Sequence, residues 1–288
     1  MLWFRKSPEE GPVAAARDVI APAQLAVGFD LRVFIQKFAA LLELIGEAGG
    51  VDPFLEALAR KSAVFQALLN PAEVSRLTLE GVETLLETVM PARKRLWPVL
   101  ATMPSGAVTE SFRVLLYGDG ELETRMMAFV DSMPEEAGGD AKVGKKRRRA
   151  AQDFAAEILH FMDPKRYPLM TRWVWDQATH SGAMREFVKG GDTLDSVPLG
   201  SSPGVYEAGR VWFMEQMAAQ GVYREPHYVV DLLLAHAYAD YMRAMSNGMG
   251  LLNADFGGKS DPLEVVKKLL GIDEARKKDS RVRKTVER

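Results

Sequence analysis

Apolar residues recur every three or four positions through nearly the whole of this sequence, and no run alternates at period two for long enough to need a sheet. At 3.6 residues per turn such positions share one side of a helix, so each segment has to be covered by another helix. Leu31, Phe34, Ile35, Phe38, Leu41, Leu42 and Ile45 form one stripe, ended by Gly46–Gly50. A second opens at Asp52-Pro53 and runs through Phe54, Leu55, Leu58, Val64, Phe65 and Leu68. Similar stripes cover Val82–Val89, Val108–Tyr117, Leu122–Met133, Val205–Gln220 and Pro226–Met249. Pro98 predicts a kink or a stop in the segment that begins at Pro91. The expected fold is all-α, a multi-helix orthogonal bundle in two helical subdomains.

The polar, glycine-rich run Pro134–Asp140 marks the expected boundary. The chain then divides into an N-terminal arm with a short helix (1–28), a helical subdomain (29–133), a linker (134–144), a second helical subdomain (145–270) and a basic flexible tail (271–288). Hydrophobic residues at 47% and charged ones at 26% exclude wholesale disorder. The opening Leu2-Trp3-Phe4 is far short of the ~20 apolar residues a membrane span needs, and suits a partner contact or disorder.

Several chemistries fall away on residue type alone. With no cysteine there are no disulfides, thiolate nucleophiles or cysteine-held zinc or iron–sulfur centres, which also favours a cytoplasmic location. There is no G-x-x-x-x-G-K-[ST] loop, no G-x-G-x-x-G after a strand and no G-x-S-x-G elbow, and His180-Ser181 reads as a surface turn. A metal would have to use His, Asp and Glu. Glu157 and His160 have the E-x-x-H spacing of carboxylate-bridged centres, but that motif occurs once where such a site needs it twice. His227/Asp231 and His236/Asp240 are spaced i,i+4 but sit nine residues apart, half a turn round the helix, so they cannot share a site. His160 is expected to be packed or capping, and His236 with Asp240 to form a buried hydrogen-bonded pair. Glu157, His160, His236 and Asp240 remain the candidate ligands should there be a metal-dependent enzyme here; no cofactor is expected.

The densest chemistry lies between Lys145 and Asp176. Lys145, Lys146, Arg147, Arg148 and Arg149 head a helix whose apolar face is Ala151, Phe154, Ala155, Ile158, Leu159 and Met162. Cations at a helix N-terminus oppose the macrodipole, which makes sense where an anionic partner is present. Asp163-Pro164 and Tyr167-Pro168 make turns, and Thr171 is placed to N-cap a helix carrying Trp173 and Trp175. Two residues apart on a helix, these tryptophans point about 200° from each other, leaving one free as an interface anchor.

From Val143-Gly144-Lys145 through Ala150, Leu159 and Phe161 to Arg166-Tyr167-Pro168 and Val174, the order of features resembles the helix-hairpin-helix DNA glycosylase superfamily. The resemblance covers some 30 residues and implies a helical nucleic-acid-binding module. The family's catalytic aspartate has no counterpart around Leu169, Met170 and Thr171, so base-excision chemistry is not implied.

The leading expectation is a non-catalytic cytoplasmic accessory protein that acts through contacts with a protein partner. The alternative is nucleic-acid binding by Lys145–Arg149 with Lys165, Arg166, Arg172 and the basic tail; the second alternative is the metal-dependent enzyme.

Overall fold

Four of the described helices start at a polar side-chain cap. Asp30 accepts a hydrogen bond from Arg32 N at 2.8 Å and opens α1 (Leu31–Glu47). Pro53 lies in the first turn of α2 (Asp52–Leu69), and Thr78 caps α3 (Leu79–Glu87) through Gly81 N at 3.2 Å. Next come α4 (Met90–Leu100), α5 (Ser105–Tyr117) and α6 (Leu122–Asp131). Pro98 lies inside α4, which runs on for only two residues. Asp140 caps α7 (Ala141–Met162) through Lys142 N at 2.8 Å. The last described helices are α8 (Pro203–Ala219), α9 (Pro226–Met249) and α10 (Pro262–Leu270), the last capped by Asp261 through Leu263 N at 3.0 Å.

This computed structural model describes residues 18–134, 140–191, 193–249 and 261–273. Leu2-Trp3-Phe4, residues 135–139 of the expected linker and the tail from 274 onward lie outside them. Among the described residues the fold is all-α, a packed set of ten helices with only two isolated bridges, Phe29 to Val188 and Asp176 to Ser181. No described helix is long and apolar enough to cross a membrane.

The described part of the N-terminal arm, residues 18–28, holds no helix and lies mainly against the second half of the chain: Ala23 N bonds Gly204 O at 2.8 Å, Lys189 N bonds Gly28 O at 3.0 Å, and Asp18 pairs with Arg125 while accepting from Tyr167 Oη at 2.6 Å. Two sequence expectations change. Residues 141–144 belong to α7, because Asp140 starts the helix one turn earlier than the basic run suggested. Finally, the core does not divide at 134–144. α7 packs on α2, α4 and α6 from the first half of the chain, while α1 packs on α9 from the second. One continuous core joins Phe112, Phe129 and Phe154, Phe65 and Phe161, and Phe34, Phe187 and Phe213.

At its centre is a buried ion pair. Lys61 Nζ on α2 lies 2.6 Å from Glu157 Oε2 on α7, and both side chains are fully enclosed. The same ammonium donates to Thr88 O (3.1 Å) at the end of α3 and to Leu270 O (2.9 Å) at the end of α10, so its three protons have three acceptors. It also stands 3.9 Å from the centroid of the Phe161 ring. Burial lowers the Lys61 ammonium and raises the Glu157 carboxyl from their ordinary values, and each charge offsets the penalty on the other.

Gly271 makes the α10 contact possible. Its φ is 67°, and a Cβ there would overlap the Thr88 carbonyl oxygen. Gly271→Ala is expected to cost at least about 2 kcal/mol of unfolding free energy in a denaturant titration. A change below about 0.5 kcal/mol would show that α10 is not seated on the end of α3.

Candidate interaction surface

The first turn of α7 now precedes the basic run, which changes what each cation does. Lys142, Lys145, Lys146 and Arg149 fall at i, i+3, i+4 and i+7, on one face, and all four are exposed. Among the described residues none of the four has an acidic side chain within ion-pair distance. The intervening pair is engaged at the surface: Arg147 donates to Pro134 O at 3.0 Å, and Arg148 bridges to Asp131 at 2.6 Å. The block of five therefore divides, three outward and two tied to the end of α6.

A neighbour missed in the sequence extends the outward face. α4 packs along α7, and Arg95 Nη1 reaches Lys146 O at 3.4 Å, with exposed Lys94 beside it in sequence. The run Arg93-Lys94-Arg95 was the available signal. Val143 lies among the cations with 47% of its surface exposed.

Other predicted site residues are not brought here. α7 rises ~1.5 Å per residue, so Lys165 and Arg166, beyond its far end, lie roughly 20 Å from Arg149. Arg166 pairs with Asp163 at 3.4 Å. Arg172 grips buried Asp153 with its side chain, at 2.5 Å from Nη2 to Oδ2, and with its backbone N at 2.9 Å. Burial raises the Asp153 carboxyl, and Arg172 counters it.

Both tryptophans are inside. Residues 171–175 make one turn, not a helix: Val174 N and Trp175 N bond Thr171 O, then Ala183 N and Met184 N bond Trp173 O and Val174 O. A single turn does not carry the 200° relation of a helix, and the rings pack on other parts of the chain, Trp173 beside Tyr238 (6.1 Å between centroids) and Trp175 beside His180 (6.4 Å). Trp173 is 7% exposed and Trp175 0%, with Trp175 Nε1 donating to Gly200 O at 2.9 Å. Neither is an anchor on the surface. Val143-Gly144, a hairpin turn by the glycosylase resemblance, are helical residues of α7.

The histidines and acids serve as internal struts. Glu157 is taken by Lys61. His160, buried, bonds Tyr167 O through Nδ1 at 2.8 Å and Asp231 Oδ2 through Nε2 at 2.9 Å. A carbonyl only accepts, so Nδ1 carries a proton, and the Nε2 contact needs a second one shared with Asp231. His160 was expected to be packed or capping; Asp231, 71 residues away, was not foreseen as its partner. His236 departs from expectation in the other direction. Its Nε2 is 3.6 Å from Asp240 Oδ2, too long for a hydrogen bond, and Asp240 is held instead by Lys37 at 3.1 Å. Neither ring nitrogen of buried His236 has a partner among the described residues. Among these residues no three His, Asp or Glu side chains converge as a metal set. The cleft beside Asp231, Tyr206 and Arg210 leaves about 10 Å³, the space of one water molecule.

No protein-family model, curated protein or solved structure matches the chain.

His236 gives a pH prediction. Burial lowers its basicity below the ordinary imidazole value, with Asp240 working against that shift; buried His227 is lowered in the same sense. The unfolded chain then binds protons that the folded chain excludes, so this stability is present above about pH 6.5 and is lost as pH falls through the lowered value. Glu186, raised by its own burial, acts in the opposite sense near and above its ordinary range. His236→Phe should leave stability at pH 7.5 unchanged or higher, because it removes two unpaired buried nitrogens, and should flatten the loss that sets in as pH falls below about 6.5. A drop of more than about 2 kcal/mol at pH 7.5 would mean the imidazole makes bonds that the geometry denies it.

Proposed function

We propose that this chain is a non-catalytic cytoplasmic accessory protein that docks on an acidic surface of another protein through the face formed by Lys142, Lys145, Lys146 and Arg149 of α7 with Arg95 of α4. The observation that carries this reading is the set of four cations on one helix face with no counter-charge among the described residues, interrupted by exposed Val143. Like charges at i,i+3 and i,i+4 repel, and an acidic partner relieves that cost on binding. The absence of cysteine supports the cytoplasmic part.

Nucleic acid is the second reading, since phosphates would relieve the same repulsion. Burial of Trp173 and Trp175 favours the protein partner, because single-strand binding draws much of its energy from bases stacked on exposed rings.

The test compares the native chain with a variant in which Lys142, Lys145, Lys146 and Arg149 are all Gln. Affinity capture from the source cell at physiological salt should yield a protein that the variant loses, and random DNA and RNA 30-mers should bind negligibly. If nucleic acid instead binds at micromolar affinity or better, the log–log salt slope should flatten by roughly 3 to 4 units in the variant, and the second reading replaces the first.

A further inference from the structure

The first helix carries more apolar surface than the core covers. Phe34, Phe38, Leu41 and Ile45 of α1 are buried, and Phe34 is fixed against Phe38 (5.6 Å) and Trp212 (5.8 Å). At ~100° per residue, Leu31, Ile35, Ala39, Leu42 and Gly46 occupy an adjoining arc of about 80°. There Leu31 is 48%, Ile35 46% and Leu42 48% exposed. The helix is clamped from behind, so this stripe is presented on a rigid backbone.

Charges decide what fits it. Just past the exposed edge lie Arg32 near the start of the helix and Glu43 near its end. The Arg32 side chain is 90% exposed, with only a long 3.8 Å contact to Asp30, and Glu43 is exposed without an ion pair among the described residues. A second α1 laid parallel would gather both Arg32 at one end and both Glu43 at the other, with no opposite charge level with either. Laid antiparallel, it sets Leu31 against Leu42 of the other copy and Ile35 against the small Ala39. Arg32 and Glu43 then meet on both sides of a two-fold axis, and the helix dipoles oppose each other favourably.

We propose that the occupant of this stripe is a second copy of the chain, docked α1 against α1 in antiparallel register. One helix face is small beside the ~800 Å² per partner of a standard interface, so the dimer is weak and concentration-dependent.

Sedimentation velocity of the full chain from about 5 to about 500 µM should show a monomer passing to a dimer. Ile35→Asp, at a half-exposed position, should weaken dimerisation at least about ten-fold while the circular dichroism and melting temperature stay near those of the native chain. Arg32→Glu and Glu43→Arg should each dimerise poorly alone, yet an equimolar mixture of the two should recover the dimer, because each supplies the charge the other lacks. A chain monomeric to about 500 µM overturns the proposal. So does a dimer indifferent to Ile35→Asp, or a monomer that dimerises only after Trp3→Asp, which would give the stripe to Leu2-Trp3-Phe4 of the same chain. None of these outcomes bears on the basic face of α7, which lies on other helices.

Discussion

Burying one ammonium in an apolar core is the constraint on which the arrangement of this molecule depends. Lys61 cannot remain charged there unless every proton has an acceptor, and the three it finds come from α7, the end of α3 and the end of α10. Four parts of the chain, as many as 209 residues apart, therefore have to arrive at one point. Hydrophobic burial supplies most of the drive to collapse but is indifferent to register. The ion pair is not, since removing either partner leaves an uncompensated charge inside.

α7 is the element that links this centre to the surface. Its C-terminal half carries Asp153, Glu157 and His160 inward, tied respectively to Arg172, Lys61 and Asp231. Its N-terminal half leaves the core and carries cations outward. The polar inner half fixes the rotation of the helix, which in turn fixes which of the five consecutive basic residues point to solvent. The buried network and the proposed contact face are thus two ends of one rigid rod, and α1 presents its half-covered stripe by the same logic, anchored through Phe34 and Phe38.

Much of this was legible in the sequence, and what was not has identifiable causes. Helix positions followed from apolar spacing, and the α-only fold came with them; Pro98 lies inside α4, two residues before its end. The start of α7 was misplaced because Asp140 was counted as linker; its carboxylate caps Lys142 N and adds a turn. Spacing puts Trp173 and Trp175 on opposite faces of a helix that does not form, since Thr171 closes a single turn and the carbonyls of Trp173 and Val174 bond to Ala183 N and Met184 N instead of onward along a helix. Lys61 was unreadable as a core residue, because its partners lie 27, 96 and 209 positions away and nothing local distinguishes it from the exposed lysines. His160 with Asp231 failed for the same reason. Spacing within one helix reports i,i+4 neighbours such as His236 and Asp240, and here that local pair is the one that makes no hydrogen bond.

A double-mutant cycle on Lys61→Met and Glu157→Leu, followed by denaturant unfolding, tests the central claim most directly. Each single replacement should cost about 3–5 kcal/mol, by stranding the other charge. The pair together should cost far less than their sum, with a coupling of about 2 kcal/mol or more. Each single variant should also speed amide hydrogen exchange in α10 relative to α5, which does not touch the ion pair. Additive effects, or single losses under about 1 kcal/mol with α10 exchange unchanged, would contradict the account.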